Sequence, residues 1–240
     1  MKMHSSTFSE HLYELKRRLI YVILALSISS GICYYFVQEI YLFITAPLGQ
    51  LSEGGRKVIY TGLAEVFFTY LKISLLFGLL TTLPFICYQI YVFISPGLLN
   101  REKTIVKIAL IFAPILFYIG AIFMFYIVIP KAWSFFVSFE IKDASVPLIL
   151  EAKISEYISL VIQLLIAFGL AFEMPIVILI LTAMGIFSSN ILINNRRYAT
   201  IMIFIFAGVV TPPDVISQIA LAMPMILLYE LSIRLCKIVE

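Results

Sequence analysis

Residues 66–92 read VFFTYLKISLLFGLLTTLPFICYQIYV, a run in which Lys72 is the single charge. Wound as an α-helix at 1.5 Å per residue, it would be about 40 Å long, more than the roughly 30 Å of a bilayer's hydrocarbon core. In lipid no water satisfies backbone N–H and C=O groups, so a run this apolar spans as a helix. Pro84 inside it is tolerated where a neighbour takes up the carbonyl it frees. Five further runs of the same kind flank it: 20–37, 105–129, 157–184 with Pro175, 198–210, and 215–233 with Pro224. The run 198–210 would be only about 20 Å long, so the last two runs read either as short spans or as a re-entrant hairpin. The expected fold is an all-α membrane protein: one integral membrane domain over residues 1–240, with six transmembrane helices, the last two short.

Composition agrees. The chain has 240 residues, 62% hydrophobic and 13% charged, with mean hydropathy +1.05, too little polar surface to cover a soluble domain. The net charge of +3 is spread as twos and threes at the edges of apolar runs. No basic stripe forms, which excludes nucleic acid as a partner. Cys33, Cys87 and Cys236 lie far apart, without a CxxC or a Cys/His cluster, and read as small hydrophobes rather than metal ligands or a redox pair.

Lysine and arginine resist translocation and stay cytoplasmic. With the N-terminus inside, the segments around 2–18, 101–107, 196–197 and 234–237 hold eleven of the seventeen basic residues. The opposite segments hold five, and Lys72 alone is left in a span. Both termini are therefore expected in the cytoplasm. The N-terminal stretch MKMHSSTFSEHLYELKRRL is polar and basic, with no small-x-small cleavage site behind it, and reads as leading into a retained first span. On the outer side, YLFITAPL (41–48) followed by SEGGRK (52–57) reads as an interfacial amphipathic segment and a turn. Residues 131–156 mix Trp133, Phe135, Phe136 and Phe139 with charges and read as a second surface cap. No repeat relates the two halves, which weighs against an inverted-repeat transporter.

Enzyme chemistry lacks its parts. The histidines are His4 and His11, both N-terminal, and the aspartates are Asp143 and Asp214, both in outer loops. No Ser/His pair, aspartyl dyad, HExxH or GxxxxGK[ST] loop can be assembled, and no cofactor or metal is expected. What stands out is a few charges in unusual places. Glu173, in AFGLAFEMPIVI, lies deep in the fourth run, where an ionisable group marks function by default; a hydrogen bond to a carbonyl freed near Pro175 is the plainer alternative. Lys72 can snorkel to the outer interface. At the inner surface Glu14 and Glu102 each sit among cations. Glu14 and Arg18 are spaced i, i+4 for a surface ion pair, but two neighbouring acids can also grip a basic peptide through charge-assisted bonds.

These residues lie in stretches that together resemble the TatC family, the multispanning subunit of the twin-arginine translocase. The matching stretches are HLYELKRRL (11–19), TAPL (45–48), LPFICYQIYVFISPGLLNREK (83–103), LFYIGAIFMFYIVIP (116–130), AFGLAFEMPI (167–176) and VVTPPDVISQIALAMPMILLYE (209–230). They occur in family order across nearly the whole chain, and together they are specific. The resemblance implies a concave, glove-like bundle. It implies that Glu14 and Glu102, with Phe93, bind the twin-arginine signal peptide of folded precursor proteins. It implies that Glu173 lies on the concave face where TatA- and TatB-type single-span subunits and the signal's apolar region approach. Asp214 matches the acid of the outer turn, and Pro47 and Pro84 match structural prolines. Further copies of the chain are expected as partners, the proton gradient as the energy source, and a bacterial inner membrane, or an organellar or thylakoid one, as the location. Where the family commonly has arginine two residues after its first glutamate, this chain has Lys16, which keeps the charge and loses the planar donor fork. The rival reading is a proton-coupled secondary transporter with Glu173 and Lys72 as a relay.

Overall fold

A computed structural model describes residues 8–50, 58–141, 146, 148–211 and 215–239. Its elements are α1 (Phe8–Tyr35), α2 (Val37–Gln50), α3 (Glu65–Ile94), α4 (Asn100–Phe123), α5 (Ile129–Val137), α6 (Ile154–Phe172), α7 (Met174–Ala183), α8 (Ser189–Asn194), α9 (Arg196–Val210) and α10 (Val215–Val239). Among the described residues the extended pairings are two isolated bridges, Ile59 with Lys153 and Ile141 with Leu148. The all-α membrane fold expected from the sequence is the fold observed.

Five helical units are long and apolar enough to cross a membrane: His11–Tyr35, Glu65–Gly97, Asn100–Val137, Ile154–Ala183 and Val215–Ile238. The sixth, α9, has 15 residues. In α10 the apolar run 215–233 is continued by a more polar end that includes Lys237, so the whole helix has 25 residues. The third unit also outruns its apolar core. Pro130 would interrupt a regular ladder, but a π-helical stretch, Met124–Val128, widens the turn before it, and the helix runs on through Trp133. The expected cap at 131–156 thus begins as helix. The segment 41–48 is likewise helical, within α2.

Contacts fix the directions. His11 meets Phe93, Arg18 meets Gln89, and Ser30 meets Gly78, so α1 and α3 run antiparallel. At the other end Glu65 ties the starts of α3 and α6 together. Its Oε1 accepts from the Ser155 hydroxyl at 2.6 Å, and its Oε2 accepts from the backbone N–H groups of Thr61 and Gly62. The two ends of the bundle are thereby defined: a Glu65 end, and an opposite end carrying Glu14, Phe93 and the start of α4.

Close packing depends on absent side chains. A Cβ on Gly78 would fall 2.8 Å from the Ser30 backbone, and one on Gly120 would fall 2.6 Å from the Phe168 carbonyl oxygen. Small residues at helix crossings let backbones approach where lipid supplies no hydrophobic drive. Unit α6–α7 is the central helix, with 56% of its most apolar window buried against 6% for α1, which leans on α3 at the periphery. Phe168, Ile158, Leu164, Ile73 and Met124 fill the core. Pro84 leaves the carbonyl of Leu80, one turn back, without its usual donor, and the Tyr118 hydroxyl of α4 donates to it at 2.7 Å.

The short α9 leaves a step in the bundle. It starts beside α10 at the Glu14 end, where Arg196 pairs with Glu230 at 2.9 Å. It stops where the Gln163 amide donates to the Val210 carbonyl at 2.8 Å. Gln163 is nine residues into α6, so that turn lies about 14 Å below the Glu65 end.

Candidate functional site

Three elements converge at the end opposite Glu65. In α1, one helical turn separates Glu14 from Arg18, and both guanidinium bonds fall on a single carboxylate oxygen, Oε1, with Nε at 3.1 Å. The ion pair expected from the spacing is formed. Arg18 also donates from Nη1 to the side-chain oxygen of the buried Gln89 in α3 at 3.1 Å, which docks the charged turn of α1 onto its neighbour. One turn further along, the His11 ring stacks on Phe93 with centroids 4.4 Å apart and planes 20° from parallel. Glu14 and Arg18 keep side-chain exposures of 34% and 20%, so both remain accessible to a ligand.

Helix α3 ends at Ile94, and a short Ser95–Gly97 turn leads directly into α4. Glu102 is therefore delivered to the same end of the bundle as Phe93. Its Oε2 accepts the backbone N–H of Leu99 at 2.9 Å, capping the start of α4, where a carboxylate also meets the favourable end of the helix dipole. Glu102 lines a cleft of about 310 Å³ with Leu99, Arg101, Ile105 and the end of α7 at Thr182, Ala183 and Gly185. The structure thus brings Glu14 together with Arg18 and Gln89, and Phe93 together with His11, and it seats Glu102 in the neighbouring cleft. Arg18, Gln89 and His11 are the residues that sequence reasoning left out of this group. The i, i+4 spacing signalled Arg18; a neutral amide inside an apolar run gave no signal for Gln89.

Glu173 occupies the break between α6 and α7. Its carbonyl accepts from Ile176 and Val177 at 3.0 Å each, starting α7, while Pro175 ends the ladder of α6. Among the described residues its half-buried carboxyl group has no hydrogen-bond partner, so the alternative of a bond to a freed carbonyl is not realised. It lies within electrostatic reach of Cys87 in α3. None of the three cysteines is in a disulfide, and all are buried. Lys72 donates to Ser159 at 3.3 Å. Ser159 and Glu173 are separated by fourteen residues along α6, about 21 Å, which removes the direct Lys72–Glu173 relay that a proton-coupled transporter would use. Pro47 lies inside α2 and Pro84 inside α3. Asp214 lies outside the described residues. Among those described, no cluster of three or more His, Cys, Asp or Glu side chains could hold a metal ion.

The family described as TatC, Sec-independent protein translocase protein, matches residues 10–224. A protein of Rickettsia prowazekii named Sec-independent protein translocase protein TatC is 51% identical over 241 residues, covering 100% of this chain and 95% of that one. The protein of the same name from Escherichia coli is 36% identical, covering 93% and 85%. Among solved structures, the crystal structure of a twin arginine translocase receptor, TatC, superposes with a TM-score of 0.79 at 36% identity, covering 96% of this chain and 99% of that one.

Proposed function

The chain belongs to the TatC family, and on that premise we propose that it is the signal-recognising receptor of a twin-arginine translocase, with Glu14, Phe93 and Glu102 as the recognition site. It is a multi-pass membrane protein and a component of a protein translocase, a transport subunit rather than a catalyst. The observation that supports the recognition reading is the delivery of two carboxylates, Glu14 from α1 and Glu102 from α4, to the same end of the bundle as the stacked His11–Phe93 pair. A carboxylate accepts two parallel N–H bonds from a planar guanidinium, which lysine cannot reproduce. In the free protein Arg18 occupies Glu14, and an incoming signal arginine shares or replaces that partner. The aromatic pair beside it offers a face to the signal's apolar residues.

Both termini and the Glu14–Glu102 end face the cytoplasm, as the distribution of basic residues favours, and the location is a bacterial inner membrane. Single-span TatA- and TatB-type subunits approach at Glu173, a carboxyl group without a hydrogen-bond partner at membrane depth, and the proton gradient drives assembly. The test is co-purification of the full chain with a folded precursor carrying a twin-arginine signal. Recovery is expected with the arginine pair and is expected to fall about tenfold when both signal arginines become lysines. Equal recovery of the two precursors would remove the recognition reading.

A further inference from the structure

A groove of about 500 Å³ opens on the side of the bundle between α1, α3 and α6. Its lining is graded along the axis of the bundle. Lys72 and Ser159 lie seven and five residues below the Glu65 end, and Gln163 follows; deeper down the walls are Leu26, Leu79 and Ile166. Lys72 to Leu79 is seven residues of α3, about 10 Å, and Ser159 to Ile166 is the same distance on α6. A polar, cationic mouth therefore leads into an apolar slot running towards the bilayer centre. Lys72 is exposed, its described contact is the neutral Ser159 hydroxyl, and among the described residues no carboxylate pairs with it.

Depth identifies the chemistry of the occupant. Helix α3 has 30 residues, about 45 Å, the full thickness of a bilayer with its headgroups, so about its first one and a half turns stand in the headgroup layer and Lys72, seven residues in, lies about 3 Å past it. The Lys72 backbone then sits just inside the hydrocarbon, and its flexible stem of about 6 Å carries the ammonium back up to the headgroup layer. We propose that this groove is a phospholipid site, with Lys72 and Ser159 binding an anionic headgroup phosphate of the leaflet at the Glu65 end and one acyl chain lying along Leu26, Leu79 and Ile166. An ammonium without a carboxylate partner favours a net-negative lipid over a zwitterionic one. The site is distinct from the Glu14–Glu102 end and does not depend on how signals are bound.

The test uses the full chain in nanodiscs made from equal parts phosphatidylglycerol and phosphatidylethanolamine, with lipids retained on release counted by native mass spectrometry. The wild type and Lys72→Arg are expected to retain phosphatidylglycerol preferentially. In Lys72→Gln the preference is expected to drop about fivefold, the effect of one cation near a membrane surface. A photoactivatable phosphatidylglycerol analogue, used on the wild type alone, is expected to label the stretch 72–79. No headgroup preference in the wild type, an unchanged preference in Lys72→Gln, or labelling elsewhere would overturn the site. So would a Leu75→Cys chain that crosslinks a co-expressed single-span subunit through this groove while lipid retention is unaffected by Lys72→Gln, because the occupant would then be a helix.

Discussion

At the scale of single residues, Glu173 and Gln89 make opposite demands on their surroundings. Glu173 has no hydrogen-bond partner among the described residues, so its replacement removes a group that is available to something outside the chain. Glu173→Ala is expected to spare signal binding while lowering crosslinking to single-span subunits and slowing transport, and Glu173→Gln is expected to retain more of both, since an amide can still donate a hydrogen bond. Full transport in Glu173→Leu would contradict this. Gln89, buried and bonded to Arg18, works within the fold. Gln89→Leu leaves the guanidinium with one partner fewer and is expected to cost about 1 kcal/mol, read as a lower Tm in detergent. The acids of the candidate site were legible in the sequence because a carboxylate among cations or inside an apolar run is conspicuous. Gln89 and His11 were not, because only the antiparallel packing of α1 on α3 puts them beside Arg18 and Phe93.

At the scale of elements, helix crossings decide which substitutions matter. Gly31 and Gly78 both lie in membrane-length helices, yet a Cβ at Gly31 meets nothing within 4 Å, whereas one at Gly78 runs into Ser30. Gly78→Val is expected to separate α1 from α3 at an overpacking cost of about 1–3 kcal/mol, while Gly31→Ala is neutral or slightly stabilising; paired thermal melts decide between them. Tyr118→Phe tests the repair of the Pro84 break. Leaving the Leu80 carbonyl without its donor is expected to cost about 1–3 kcal/mol, and an unchanged Tm would show that another group takes over. The apolar runs were readable from length and hydropathy alone. The continuation of the third unit past Pro130 was not, because a widened turn depends on backbone packing that leaves no mark in composition. Nor was the clamp by Glu65, which joins the starts of two helices ninety residues apart in sequence.

For the whole molecule, the contacts define two ends, and the proposed topology, which rests on the distribution of basic residues, puts the Glu14 end in the cytoplasm. Cysteines introduced at residue 101 are expected to react with an impermeant reagent from the cytoplasmic side, and those near 56 and 142 from the opposite side; labelling of residue 101 only from the outer side would invert the topology. In the proposed recognition site, Glu14 and Glu102 act together on a twin-arginine signal. A partly shielded charge-assisted bond is worth roughly 1.5–3 kcal/mol, so each loss is expected to weaken binding about tenfold, and the two losses are expected to be coupled rather than additive. The measurement that tests this most directly is the crosslinking yield between a twin-arginine precursor and membranes carrying Glu14→Gln, Glu102→Gln or both, at equal protein level. A reduced yield is expected in each single variant and near-loss in the double variant; wild-type yield in the double variant would overturn joint recognition by the two acids.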